Sequence, residues 1–586
     1  MSVHYLAKPG RLLLNGLLAL SLLIALPLQA ADDADEPSAR VARLNHITGT
    51  VSFAPAETDD WVEAVLNRPL TSGDRLWVEK GGRAELHVGA TAMRLAGGTG
   101  LEILQLNDED LRLKLGQGSF SIRVRDYPED EQIEISTPNV DFVLREPGEY
   151  RIDVNPDRDT TTVSVRRGAG RAYGADDSRE PVLIEDGQRL RFDGKDLFVL
   201  ETGRVGPRDE FEHWAAQRDD REEASASARY ISRDMTGYED LDAHGDWREV
   251  SGYGPVWTPR VTIVGWAPYH YGHWVWVAPW GWTWVDDAPW GFAPFHYGRW
   301  AHIDGRWGWV PGPLVRRPVY APALVAFAGG SSGGVSWSIS LSTGMAGVAW
   351  FALGPGEPYR PAYAHRPAYL ERLNHHIDYR RPPATYANQR VPRAVAILPE
   401  RDFVRGAPVR PGQTPAWHGD AGRLPVREFL PLKPGNDSRQ GGQARREPPQ
   451  DRVFRQPSIG EQRPPRTAQQ RGEFRPGERQ EWRNDARSRE NRQQDQRREE
   501  QRRGDEQRQQ AEQRRQEEPR RGEEQRRQMD QRQAEQRQQE QRREEQRRGD
   551  EQRQQAEQQR QQGEQRRQEE QRRGEEQRRQ MEQRQA

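Results

Sequence analysis

The sequence predicts a mainly β protein that ends in a long polar tail, and three observations carry this prediction. Short stretches between Val41 and Phe192 alternate apolar and polar residues, as strands with one wet face do. Twelve of the nineteen tryptophans lie between Trp247 and Trp309, in a pattern that repeats. From Gln496 onward the only apolar residues are four Ala and two Met, so this part cannot bury a core.

The first thirty residues have the layout of a signal peptide. Lys8 and Arg11 precede an apolar run over residues 12–26, and small residues follow at Ala30 and Ala31. The run is shorter than the roughly 20 residues that a membrane span needs. We therefore expect residues 1–31 to be cleaved near Ala30, leaving a periplasmic or otherwise exported chain with no stable membrane span. An uncleaved N-terminal anchor is the alternative.

Composition excludes several kinds of site. The chain has no cysteine, which excludes disulfides, thiolate metal sites and a cysteine nucleophile. Its net charge of −2 predicts no dominant acidic or basic partner, and no nucleic acid. The run from Gly329 to Gly334 has the order of neither a phosphate loop nor a nucleophile elbow. We predict no cofactor.

A β domain is predicted over residues 41–200. Alternating runs such as Leu111–Leu115 and Phe120–Val124 are separated by turn signals, among them Gly116 and the pair Asp193-Gly194. We expect an all-antiparallel sandwich or a solenoid-like stack of sheets.

Part of this domain resembles the FecR-type periplasmic domain. The resemblance lies in Gly49-Thr50-Val51, in Trp61, in the segment from Asn67 to Leu76 and in Glu185-Asp186-Gly187-Gln188. It implies a β fold and the periplasm. FecR proteins also carry a transmembrane helix and a cytoplasmic segment that handles a sigma factor, and neither has a counterpart in this sequence. Signal relay is therefore an alternative function.

A helical connector is predicted over residues 207–244. Pro207 precedes a helix from Asp209 to about Ala228, in which Phe211 and Trp214 have helix-compatible spacing.

A Trp-rich β repeat module follows over residues 245–378. Trp247 and Trp257 recur 27 positions later as Trp274 and Trp284. A second register, with a spacing of 26, joins Trp274 to Trp300. This periodicity predicts a stacked array of short β-hairpins, because the Gly and Pro content opposes helix.

The indoles have two interpretations. In one they form the core, packed edge to face. In the other, exposed rings form a platform for sugar rings or peptides, because alternation sends side chains to both faces of a strand. The candidate ligand-binding residues are Trp274, Trp276, Trp282, Trp284, Trp300, Trp309, His270, His296 and Tyr297.

Two groups of polar residues have the residue types found in metal or catalytic sites. His270 and His273 have a spacing that directs them to opposite faces of a strand, so we predict no metal site. Asp286 and Asp287 are adjacent and precede Pro289, which favours a turn over a catalytic carboxylate pair.

The end of the module predicts a further hairpin, from the alternating run Val335–Ser342 and the run Val348–Leu353. Together with the repeats and Gly354-Pro355-Gly356, residues of about 209–430 resemble an uncharacterised Trp-rich family of bacterial exported proteins. The resemblance implies an architecture without an activity.

Residues 379–485 form a Pro/Arg-rich linker in this prediction, and residues 486–586 a low-complexity Gln/Arg/Glu tail. The tail is expected to be disordered or transiently helical.

These features predict an exported, non-enzymatic envelope protein that acts as a binding or scaffold module. Peptidoglycan, another envelope polymer or an envelope protein is the expected partner, and the sequence leaves the oligomeric state open. Besides signal relay, the alternative is a wall-glycan hydrolase, which would require Asp286, Asp287 or Asp304.

Overall fold

The computed structural model describes residues 36–462 and 529–584, apart from residues 57, 129, 177–178, 330–338, 341–345, 376, 413–421, 423, 451 and 530. Strands predominate over helices, which confirms the predicted mainly β class. The strands are β1 (Ala42–Thr48), β2 (Val51–Ala54), β3 (Val62–Glu63), β4 (Pro69–Leu70), β5 (Arg75–Val78), β6 (Arg83–Val88), β7 (Thr91–Leu95), β8 (Thr99–Leu106), β9 (Asp110–Val124), β10 (Gln132–Ser136), β11 (Asp141–Leu144), β12 (Gly148–Asn155), β13 (Thr160–Arg167), β14 (Gly170–Tyr173), β15 (Val182–Ile184), β16 (Gln188–Asp193), β17 (Phe198–Arg204), β18 (Gly245–Val250), β19 (Gly254–Pro259), β20 (Gly272–Val277), β21 (Gly281–Asp286), β22 (Arg299–Ile303), β23 (Arg306–Val310), β24 (Val325–Ala328), β25 (Ile339–Ser340), β26 (Ala346–Ala352), β27 (Ala396–Pro399) and β28 (Val426–Arg427). The helices are α1 (Glu210–Glu223), α2 (Leu241–His244), α3 (Ala293–His296), α4 (Pro367–Asn374), α5 (Glu400–Val404), α6 (Asn436–Gln440), α7 (Arg452–Arg455) and α8 (531–582).

The first seventeen strands form one hydrogen-bonded network, which we call the N-terminal β domain. One run of strands is β4-β1-β6-β7-β9-β12-β13-β16-β17, and the other is β3-β2-β5-β8-β9-β10-β11-β14-β15. Strand β9 belongs to both runs: its first half pairs with β8, and its second half pairs with β7.

The expectation of an all-antiparallel domain is wrong at one pair, because β9 and β10 are parallel. The chain leaves β9 at Val124 and returns to the beginning of the same strand, where Gln132 pairs with Asp110. Strand β9 passes from one run to the other at Gly118, whose φ is +98°, a value that glycine adopts readily. Strands β9 and β10 are thus neighbours in the sheet without being joined by a tight turn.

The apolar positions of the alternating runs form one core. In β6, Ala84, Leu86 and Val88 point inward, and they join apolar residues from both runs of strands. The intervening Glu85 and His87 point to the opposite face, as alternation requires. That face was expected to be solvated, but Glu85 and His87 are each 1% exposed, because other parts of the chain cover it.

Helix α1 and residues 238–240 cover this outer face through ion pairs. Asp209 caps α1 and forms a capping box with Glu212, so the helix begins where the sequence predicts. It ends at Glu223, earlier than predicted. The buried charge cluster that results consists of Arg43, Glu85, His87, Arg94, Arg218, Glu222 and Glu239.

The buried charge cluster ties the N-terminal β domain to the Trp-rich module. Arg43 donates from Nη1 to Glu239 Oε1 at 2.9 Å and from Nε to Asn67 Oδ1 at 3.0 Å. Asn67 Nδ2 in turn donates to the main-chain oxygens of Asp286 and Ala288, at 2.8 and 2.7 Å. Because buried polar groups are costly when unpaired, this chain of contacts fixes the two parts against each other.

The buried charge cluster makes stability depend on pH. Burial by itself lowers the pKa of His87, but Glu239, Glu222 and Glu85 outweigh it, so the pKa is raised above 6.5. A raised folded-state pKa gives stability that is present below pH 6.5 and is lost as the pH rises through the folded-state value. Burial also raises the pKa of Glu222, which acts in the same direction. Glu85 has a lowered pKa, so its contribution is lost only in acid.

We therefore expect His87→Gln to flatten the fall in unfolding free energy between about pH 6 and about pH 8, because the variant cannot lose a proton there. Urea denaturation of both proteins at the two pH values measures this. His213→Gln, at an exposed position of α1, is the control for replacing a histidine outside the buried charge cluster. Equal slopes for wild type and His87→Gln would show that folding does not shift the pKa of His87.

The other outer face of the N-terminal β domain is covered by a segment near residue 455. Lys114 on β9 forms an ion pair with Glu461 at 2.9 Å, and Trp61 packs against Phe454 with ring centroids 5.2 Å apart. Gly116, predicted as a turn, lies inside β9. A Cβ at this position would be 1.9 Å from the main-chain oxygen of Val453, so the glycine permits close approach of the two backbones.

The repeats form the predicted β-hairpins: β18–β19, β20–β21 and β22–β23. In each one the repeated tryptophans are cross-strand partners, as the pair Trp274 and Trp284 illustrates. The hairpins do not form a uniform stack. The first and third join through Trp257 and Trp309 into one four-stranded sheet, whereas the middle hairpin is a separate two-stranded sheet. The middle hairpin differs because its indole face packs on residues from later in the chain.

Those later residues belong to a sheet in which β26 lies between β24 and β27, with β28 beside β24. Strand β25 pairs with β26, as the predicted second hairpin requires, but residues 335–338 and 341–342 of that prediction lie outside the described residues. Strand β27 and Phe403 of α5 come from the segment predicted as a linker, and both are buried. This segment therefore contributes to the core of the Trp-rich module.

The tail belongs to the second of the two units into which the chain divides. In its described part, residues 531–582 are helical and every side chain is exposed. Of the two predicted states of the tail, disordered or transiently helical, the described residues show helix. No described helix has the length and apolarity to cross a membrane.

Candidate functional site

Eight of the nine predicted site residues are buried. The most exposed of the eight is Trp282, at 8%. The exposed-platform interpretation therefore does not describe these eight residues, and the packed-core interpretation does. The buried set is Trp274, Trp282, Trp284, Trp300, Trp309, His270, His296 and Tyr297. Trp276 is the ninth and is half-buried.

Hydrogen bonds to the rest of the chain use most of the buried indole N–H groups. Trp300 Nε1 donates to the main-chain oxygen of Pro294 at 2.8 Å, and Trp309 Nε1 donates to that of Tyr297 at 2.8 Å. Trp284 Nε1 donates to Asp286 Oδ2 at 3.1 Å. Such donors satisfy the polar end of each ring, so these tryptophans serve the core.

The predicted histidines and tyrosine also have structural surroundings. His296 Nδ1 lies 2.8 Å from the main-chain oxygen of Ala321, and burial lowers its pKa to about 3, so the ring is neutral. His270 Nδ1 lies 2.9 Å from the oxygen of Pro268, and burial lowers its pKa as well. Burial raises the pKa of Tyr297. Among the described residues, no group of three or more His, Cys, Asp and Glu side chains is placed to hold a metal ion.

The adjacent carboxylates Asp286 and Asp287 point in different directions. Asp286 is 1% exposed, accepts a hydrogen bond from the Ala288 N–H at 3.0 Å, and has its pKa raised well above the usual range by burial. Asp287 points away and forms an ion pair with Arg410 at 2.8 Å. Asp304 lies exposed at the turn between β22 and β23. The three carboxylates thus have three different surroundings.

One cleft leaves aromatic surface accessible, and we call it the aromatic cleft. It has a volume of about 70 Å³. Its aromatic walls are Trp274, Trp276, Trp282, Phe327, Tyr359 and Phe429. Trp276 is half-buried and Phe429 is 45% exposed, so these two rings form the accessible part.

The hairpin β20–β21 holds Trp276 in a fixed position. Trp276 and Trp282 are cross-strand partners, and their rings are 5.6 Å apart at an angle of 89°. Trp282 is anchored in turn, because its Nε1 donates to the main-chain oxygen of Leu432 at 3.0 Å and its ring packs edge to face on Phe403 at 4.7 Å. Gly281 lies beneath the Trp276 ring, where an added Cβ would come within 3.3 Å of it.

Charged groups of opposite sign lie beside the cleft, since Arg360 precedes the lining residue Pro361 and forms an ion pair with Glu428. Glu428 is one of the lining residues, and its Oε1 is 3.3 Å from Arg360 Nη1. Burial raises the pKa of Glu428, and Arg360 opposes that shift. The buried Trp274 Nε1 has no hydrogen-bond partner among the described residues. The cleft therefore combines aromatic surface with a balanced pair of charges.

Sequence reasoning found Trp276 but missed Tyr359, Glu428 and Phe429. Tyr359 follows the segment Gly354-Pro355-Gly356, and Glu428 with Phe429 lies beyond the module boundary at residue 378. Strand β28 brings Glu428 and Phe429 to the cleft by pairing with β24, through Phe327 and Arg427. The only local signal was the presence of four apolar residues, Leu424, Val426, Phe429 and Leu430, in a short segment, which does not identify a partner strand.

Comparisons with known proteins match parts of this chain. Residues 238–357 match the model of a family of unknown function, DUF6600. No curated protein matches the chain. Two crystal structures of a proposed anti-sigma factor from Parabacteroides distasonis ATCC 8503, at 2.50 and 1.65 Å resolution, are 14% and 12% identical to this chain, each with a TM-score of 0.20. They cover 22% and 24% of this chain, which spans 59% and 63% of theirs, less than two thirds in both cases. A likeness this weak carries no argument about function.

Proposed function

We propose that this chain is an exported, non-enzymatic protein of the bacterial cell envelope that binds a wall polymer. In this proposal the N-terminal β domain and the Trp-rich module form a rigid scaffold, and the aromatic cleft is the binding site. The signal-peptide layout of residues 1–31 supports the location. The observation that carries the binding role is the accessible aromatic surface of Trp276 and Phe429, which line the same cleft.

A binding role fits the construction of the cleft. Contiguous exposed apolar patches with a polar rim mark interaction sites, and rings that are held in place lose little conformational entropy when a ligand binds. Trp276 is held by Trp282, which is held by Phe403 and Leu432. The buried charge cluster and the segment around Phe454 add rigidity to the rest of the scaffold.

The proposal predicts that the full chain sediments with purified peptidoglycan sacculi, and that Trp276→Ala weakens this binding about tenfold, because the largest accessible ring of the cleft is lost. The matched control is Trp307→Ala, which removes a half-buried indole from hairpin β22–β23, outside the cleft. It should bind as the wild type does. Circular dichroism of both variants checks that they fold.

Three results would contradict parts of this proposal. Failure of the full chain to bind sacculi or any other envelope polymer would remove the polymer-binding role. Capture of an envelope receptor protein in place of a polymer would support signal relay. Recovery of the chain from the cytosol with residues 1–31 intact would contradict export.

A further inference from the structure

We propose that the aromatic cleft binds one neutral hexopyranose ring of a glycan. This inference rests on the proposed binding function and names the chemistry of the ligand. The ligand is an uncharged sugar ring with vicinal hydroxyl groups. It stacks on Trp276 and Phe429 and forms hydrogen bonds with Glu428 and Arg360. Size, aromatic surface and charge each support it.

The size of the cleft fits part of one ring. Its volume of about 70 Å³ is roughly half that of an engineered cavity of about 150 Å³ that holds a whole benzene molecule. If one edge of a sugar ring enters the cleft, the rest of that ring lies over Trp276 and Phe429, on the accessible side. A Pro-rich peptide is a poorer fit, because its polyproline II helix repeats every three residues and needs successive hollows along a groove. The aromatic cleft offers a single hollow.

The accessible rings supply the second argument. The face of an aromatic ring is electron-rich and its edge is positive. A pyranose ring presents a face of C–H groups with partial positive charge, which complements the face of an indole or phenyl ring. Trp276 and Phe429 therefore match the apolar face of a sugar, while its hydroxyl groups remain at the rim. A ligand that lacks either the apolar face or the hydroxyl groups would contact only the aromatic rings or only the charged groups of this cleft.

The charges at the rim supply the third argument. Glu428 offers acceptors only when ionised and Arg360 offers donors only, and their separation is 3.3 Å. A vicinal diol can donate to the carboxylate and accept from the guanidinium at the same time. A charged ligand would pair with one of the two and leave the other unpaired in a partly desolvated place, which costs free energy. The balanced pair thus favours a neutral ligand.

Isothermal titration calorimetry on the full chain tests this inference. The probes are the neutral oligosaccharides cellohexaose and chitohexaose, the anionic hexagalacturonate, the cationic hexamer of glucosamine, and a Pro-rich peptide. We expect at least one neutral oligosaccharide to bind at least about tenfold more tightly than the charged oligosaccharides and the peptide. The same neutral oligosaccharide should displace the chain from sacculi.

Variants locate the binding. Phe429→Ala and Glu428→Gln should each weaken binding of the neutral oligosaccharide about tenfold, through loss of stacking in the first and of the charged acceptor in the second. Phe429 is 45% exposed, so its truncation does not disturb the core. The matched control is Phe198→Ala, since Phe198 is 59% exposed on β17 of the N-terminal β domain. It should leave binding unchanged.

The outcomes separate this inference from the polymer-binding function. If sacculi bind but neutral oligosaccharides neither bind nor compete, the inference is overturned and the polymer-binding function stands. Equal or tighter binding of a charged oligosaccharide or of the peptide, or unchanged binding by Phe429→Ala, also overturns it. If neither sacculi nor oligosaccharides bind, both fail.

Discussion

Replacing Glu85 with alanine is expected to lower the unfolding free energy by about 3–5 kcal/mol, the cost typical of breaking a buried ion pair from one side. Glu85 is 1% exposed. Its Oε2 accepts from Arg94 Nε at 2.7 Å and from Arg218 Nε at 2.5 Å. Its Oε1 accepts from Asn45 Nδ2 at 2.8 Å. Alanine would leave these donors without their common acceptor.

The electrostatics of the buried charge cluster support this size of effect. Burial by itself raises the pKa of Glu85, but Arg94, His87 and Arg218 outweigh it and hold the pKa well below its usual range. The carboxylate is therefore ionised at neutral pH, and its removal leaves an excess of buried positive charge. Arg94 keeps Asp219 as a second partner at 2.9 Å, which limits the loss.

Urea denaturation at neutral pH, followed by circular dichroism and by tryptophan fluorescence, measures the effect. Glu201→Ala is the control, because Glu201 is 47% exposed and its ion pairs with Arg189 and Arg191 lie on the surface, where such pairs contribute about 0–1 kcal/mol. Glu85→Gln keeps the shape and removes the charge, so it should fall between the two. A loss below about 1 kcal/mol for Glu85→Ala would mean that solvent reaches the buried charge cluster.

The buried charge cluster shows how far sequence patterns determine this fold. Apolar and polar residues alternate in β6, and the strand places Leu86 on the core side and Glu85 on the other. This alternation predicts nothing about what covers Glu85, because Arg218 and Glu239 are more than a hundred residues away in the chain. A charged face is compatible with solvent and with a charged partner alike, so the pattern alone favoured solvent.

The candidate site was predictable to a similar degree. The repeat of 27 residues correctly predicts that Trp247 and Trp274 occupy equivalent places in their hairpins, as do Trp257 and Trp284. Periodicity does not distinguish a buried indole from an exposed one, since both faces of a hairpin can carry large rings. Burial was decided by Phe403 and Trp350, which reach the indole face from later segments. Phe429 likewise reaches the cleft from a later segment, through the pairing of β28 with β24.

Replacing Trp284 with alanine is expected to lower the unfolding free energy by about 3–5 kcal/mol, the range for truncating a large buried aromatic residue. The Trp284 side chain is fully buried. Its ring contacts Tyr269, Trp274 and Trp350 at centroid distances of 5.8, 5.5 and 6.3 Å. Alanine would leave a cavity among these rings and would remove the indole N–H that donates to the buried Asp286.

Thermal and urea denaturation measure this loss, and two variants divide it into parts. Trp284→Phe keeps a ring but no N–H, so it should cost less than the alanine variant while still leaving Asp286 without that donor. Trp307→Ala is the matched control, because Trp307 is half-buried and its nearest ring is His302 at 5.1 Å, and it should cost about 1 kcal/mol or less.

Trp257 extends the test to the repeat itself. It is the equivalent of Trp284 one repeat earlier, it is also fully buried, and its Nε1 donates to the main-chain oxygen of Leu241 at 3.1 Å. If the repeat encodes packing, Trp257→Ala should destabilise the protein by a similar amount, about 3–5 kcal/mol. If instead the repeated indoles served a ligand, truncation at both positions would leave stability nearly unchanged and would reduce binding, because an exposed ring contributes little to the core.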